Sequence, residues 1–146
     1  AVVRGGSQSD VPACFTDLLP SIASIVAACG GAVPLAPGSA EDGIDLSDAL
    51  CGGGSDERDE REDRPLVHHS VFGHFAVRSG RWKLILGTQG SGGWPPPSDG
   101  APDWAGPGQL YDLEADPGEE RDRYFDEPAV VERLTRALDL ERRPCV

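Results

Sequence analysis

Residues 74–86 read HFAVRSGRWKLIL. Apolar and polar side chains alternate on both sides of Ser79-Gly80. Period-two alternation marks a strand with one buried face. A two-residue break containing glycine marks a β-hairpin, because such turns need a positive φ. With Ser79-Gly80 as the turn, Val77 is expected opposite Trp82 and Phe75 opposite Leu84. Leu86 joins them on the apolar face. The other face is expected to carry His74, Arg78, Arg81 and Lys83, with Ala76 and Ile85 between them. Arg78 then opposes Arg81, a repulsive pair. Asp112 or a neighbouring Glu is the plain partner for this charge; acidic surface on another domain and an anionic ligand are the alternatives.

Strands begin upstream at Leu66, and residues 109–113 (QLYDL) add another, with Tyr111 and Leu113 on one side and Leu110 and Asp112 on the other. Asp116-Pro117-Gly118-Glu119 is turn chemistry. Val130, Val131, Leu134, Ala137 and Leu138 then fall on one helical stripe, with Pro128 suited to its first turn. Near the other end, Leu18, Leu19, Ile22, Ile25, Val26 and Cys29 predict a helix buried along that stripe. Thr16 or Asp17 is the expected cap, and Gly30-Gly31 the stop. Residues 32–45 and 87–108 are Gly/Pro-rich loops, and Asp45 to Leu50 holds about one helical turn. Residues 52–64 form an exposed charged loop, too poor in apolar residues to fold alone. The fold class is α+β: a small antiparallel sheet with a C-terminal helix packed on one face, plus an N-terminal helix and long loops. The second sheet face is expected to leave an exposed apolar patch on the order of several hundred Å².

The length of 146 residues sets the expectation of one domain. A net charge of −12 argues against a nucleic-acid partner, since phosphate binding needs surplus Lys and Arg. No run of 18 apolar residues is present to span a membrane. AVVRGGSQSD has no basic region followed by an apolar run, so no signal peptide is visible. Cysteines stand at 14, 29, 51 and 145 without a CxxC pair, which makes a zinc knuckle a poor reading. Cys29 reads as a small buried hydrophobe.

Several pieces recur together: VHHS (67–70), GHFAVRSGRWKLIL (73–86), GSGGW (90–94), QLYDLEADPGEE (109–120), CFTDLLPSIASIVAACGG (14–31) and DEPAVVERLTRAL (126–138). In this order they resemble the C-terminal part of a type I sulfatase, the arylsulfatase-like branch of the alkaline phosphatase superfamily. The resemblance implies a parent enzyme that hydrolyses sulfuric esters with calcium and a formylglycine. That residue is made from the Cys or Ser of C-x-P/A-x-R, and no cysteine or serine of this chain opens such a motif. No catalytic or metal residue is carried over, and the catalytic domain is the expected partner. Asp122 stands where related sequences tend to carry Asn, and it can make most of the same backbone caps. The resemblance leaves the compartment open, since such enzymes are often periplasmic, secreted or lysosomal.

Three side chains have a functional reading beside a plain one. His68 and His69 are adjacent on a strand, so they point to opposite faces and cannot jointly ligate one metal. By default they are surface or core histidines. The resemblance implies that one of them, His69 by preference, contacts a sulfated small molecule or sugar at the parent's cleft. Trp94, preceded by Gly92-Gly93, either caps a sugar ring or plugs the edge of a small core. Two rival readings remain open: a stand-alone binding module, and part of a phosphate-ester or phosphonate hydrolase.

Overall fold

The computed structural model describes residues 6, 8–52, 64–70, 74–87 and 107–142. The chain divides into two compact units, Ala1–Glu62 and Asp63–Val146.

In the first unit a 3-10 turn, Phe15–Asp17, runs into helix α1, Leu18–Ala28, and a single turn, α2, spans Ser47–Leu50. Gly30 stops α1 with φ +81. Gly30 N donates to Ala27 O and Gly31 N to Val26 O, both at 2.9 Å, the paired bonds of a Schellman ending. The expected cap is absent: neither Thr16 nor Asp17 bonds the first turn of α1 through its side chain. Asp17 is buried and turns its carboxylate elsewhere. It accepts from Cys14 N at 2.9 Å and from Ile44 N at 3.0 Å. Ser21 donates to Asp17 O at 2.6 Å and accepts from Leu46 N at 2.9 Å. The unit is therefore closed on the polar edge of α1. That reverses the expected burial. Leu18, Leu19, Ile22 and Cys29 are exposed, while Ile25 and Val26 are half-buried.

The second unit is a four-stranded antiparallel meander in the order β1 (Leu66–His69), β2 (Phe75–Ser79), β3 (Trp82–Leu86), β4 (Gly108–Asp112). Helix α3, Pro128–Glu141, follows it. Val77, Leu84 and Leu110 on one sheet face form a fully buried core with Leu134 and Leu138 of α3. Val67, Phe75, Trp82, Leu86, Tyr124, Val130 and Val131 pack around it. This matches the expected α+β arrangement, the expected apolar face of the hairpin and the apolar stripe of α3.

The hairpin register differs from expectation. Ser79 pairs with Trp82, Val77 with Leu84 and Arg78 with Lys83. The turn is thus Gly80-Arg81, one residue later than Ser79-Gly80. Gly80 has φ +56, which suits the first central position of a type II′ turn. Glycine belongs there rather than second, and that choice moves Arg81 out of the strand. The second sheet face also departs from expectation. Ala76, Ile85, Gln109 and Tyr111 on it are buried, so among the described residues the forecast apolar patch is not seen on this face.

Candidate functional site

The candidate site is the strand pair carrying the two histidines. They do face opposite ways. His69 pairs with Phe75 and therefore lies on the α3 side. Its ring stands 5.7 Å from the Phe75 ring at 54°. Its Nδ1 is 3.0 Å from Ser70 O, a contact that fits the Nδ1–H tautomer donating to the carbonyl. His69 is thus already engaged by its own strand.

His68 pairs with Ala76, on the face shared by Arg78, Lys83, Ile85, Gln109 and Tyr111. Its pKa is held below 6.5, first by partial burial and then by Lys83, against a smaller opposing pull from Glu119. The imidazole is therefore mostly neutral at pH 7, able to donate from one nitrogen and accept at the other. Lys83 Nζ donates to Glu119 Oε1 at 2.6 Å. Glu119 holds this position with φ +55, an uncommon backbone for a non-glycine residue. Tyr111 donates its hydroxyl to Gln109 Oε1 at 2.9 Å. Burial, with Asp122, Glu119 and Asp116 adding to it, pushes the Tyr111 hydroxyl up to about 12. Tyr111 therefore stays a donor at every physiological pH.

Arg81 is not opposite Arg78. It sits in the turn, where its guanidinium meets Asp112 through two nitrogens and approaches Glu114 at 3.4 Å. The plain expectation of Asp112 as counter-charge holds for this residue. Trp94 and most of the 52–64 loop lie outside the described residues. Asp122 makes the backbone caps expected of it: its Oδ1 accepts from Leu110 N at 3.0 Å and Tyr124 N at 2.8 Å. The Lys83–Glu119 and Tyr111–Gln109 contacts were not read from the sequence. Gln109 alternates with Tyr111 along β4, which places both on one face, and that signal was available.

Among the described residues no group of three or more His, Cys, Asp or Glu could hold a metal ion. With no C-x-P/A-x-R either, the residues at hand do not fit calcium or a formylglycine, and no reaction step is derived through them.

No family model matches the chain. It is 38% identical over 109 residues to human arylsulfatase A and 36% identical over 109 residues to the bovine protein of that name. Each match covers 70% of this chain and 20% of the relative. The chain is a sulfatase C-terminal subdomain. Solved structures agree with the subdomain's fold. One, described under metabolism of multiple glycosaminoglycans by Bacteroides thetaiotaomicron, matches with a TM-score of 0.57 and 26% identity over 84% of this chain and 23% of that one. Another, described in complex with its substrate D-glucosamine-2-N,6-O-disulfate, matches with a TM-score of 0.60 and 19% identity over 97% and 26%. The subdomain spans about a fifth of the length of the curated relatives it matches. Among the described residues no helix is long and apolar enough to cross a membrane.

Proposed function

We propose that the chain is the supporting C-terminal part of a sulfuric ester hydrolase, not active by itself, which braces a catalytic domain and lends contacts to its substrate cleft. The observation that carries this reading is the 38% identity to arylsulfatase A over 109 residues, in a chain without the nucleophile motif. Calcium and the formylglycine would be held by the rest of the parent. The substrate class we propose is a sulfated small molecule or sugar. The disulfated glucosamine of the structural relative supports this as an analogy of fold.

Of the three candidate contacts, His68 is the better supported histidine. It shares its sheet face with Lys83 and is mostly neutral, whereas His69, equally exposed, is turned to Phe75 and Ser70. This reverses the preference drawn from the sequence. Trp94 stays a candidate for stacking on a sugar ring. The reading is tested by incubating purified chain with a chromogenic aryl sulfate and calcium. No turnover is expected; turnover that survives repurification and scales with the protein would overturn it.

A further inference from the structure

Phe15, Leu18, Leu19 and Ile22 lie at i, i+3, i+4 and i+7 along the 3-10 turn and α1. That spacing puts four large apolar side chains on one helix face. A lone exposed leucine is ordinary; a full stripe is not. Phe15 is 90% exposed, Leu18 43%, Leu19 47% and Ile22 52%. The opposite edge of the same helix carries buried Asp17 and Ser21, fixed by their bonds to Ile44 and Leu46. The helix is thus anchored by polar groups and presents its hydrophobes outward. Anchors at i, i+3, i+4 and i+7 are how a helix is read by an apolar groove.

We infer that this stripe is the docking face of the subdomain, seated in an apolar groove of the catalytic part of a sulfatase. The inference rests on the function proposed above and adds the surface that the support uses. Two observations choose the occupant. About four-fifths of each curated relative lies outside the match, which covers 20% of it. A second copy is disfavoured because each chain carries a net charge of −12, so two copies repel.

The test co-expresses the 146-residue chain with human arylsulfatase A from which the matched 109 residues are removed, and measures the complex after purification. Wild-type chain should co-elute. Leu19→Glu with Ile22→Glu should weaken binding at least tenfold while the isolated chain keeps its circular dichroism. Leu19→Ala with Ile22→Ala, which favours helix, covers the case in which the charged variant misfolds; it should weaken binding in the same direction. Equal binding by wild type and the alanine variant would overturn the stripe and leave the supporting role intact. No complex with wild type would overturn both. A wild-type dimer lost in the variants would assign the stripe to a second copy instead.

Discussion

Arg81 Nε donates to Asp112 Oδ1 at 2.8 Å, from the β2–β3 turn to the end of β4. This contact ties the hairpin tip to the strand beyond it. The bond to Arg81 is the main reason the Asp112 carboxyl sits below 3.8, and backbone N–H groups of Ala115 and Glu114 add to it. A depressed carboxyl contributes stability above its unfolded pKa, and that contribution fades as pH falls through the folded value.

Asp112→Asn should therefore be less stable than wild type at pH 6, with the gap closing as pH drops below 3.8. Urea melts at pH 6, 4 and 3 measure it. A gap that is constant with pH would show that the carboxylate charge plays no part.

Leu134→Ala should cost about 2–4 kcal/mol, the range for a buried leucine truncated in a core. Leu134 is fully buried between α3 and the sheet. A cost below about 0.5 kcal/mol in urea denaturation would mean that α3 is not docked.

This helix shows what the sequence made legible. Leu134 and Leu138 were identified because a 3.6-residue stripe needs only local spacing. The strand faces followed from alternation alone, which is why Val77 and Leu84 were placed correctly despite a wrong turn. The turn failed because Ser79-Gly80 and Gly80-Arg81 both contain the required glycine, and only the β2–β3 register shows which is used. The α1 stripe failed differently. Periodicity marks an apolar face but not whether it is covered, and Asp17 and Ser21 bury the other edge through residues more than 20 positions away. His68 and His69 were correctly assigned to opposite faces. Their surroundings depended on Lys83, Phe75 and the path of the 119 turn.

Glu119 keeps φ +55 while its carboxylate holds Lys83. Glu119→Ala loses the ion pair and retains the backbone strain; Glu119→Gly loses the pair and relieves it. The glycine variant should be the more stable of the two by about 1 kcal/mol. Thermal melts of both compare them directly, and an alanine variant equal to or better than glycine would contradict the strained assignment.

Tyr111 should ionise near pH 12, against an ordinary value of 10.0. Because burial raises the folded pKa, its contribution to stability is complete below pH 10 and is lost as pH rises towards 12. Absorbance at about 295 nm, wild type minus Tyr111→Phe, isolates the step. Ionisation near 10 in the folded chain would contradict a buried hydroxyl donating to Gln109.

The central claim is that this chain supports a sulfatase catalytic domain. It is tested most directly by replacing the matched 109-residue region of human arylsulfatase A with the corresponding residues of this chain and measuring kcat and KM on an aryl sulfate. The account predicts a folded, calcium-dependent chimera. It also predicts that His68→Ala raises KM more than it lowers kcat, because a positioning contact is shared by ground and transition states. Loss of one hydrogen bond to a charged group should lower kcat/KM roughly tenfold to a hundredfold. A chimera that folds yet hydrolyses no sulfate would contradict the account.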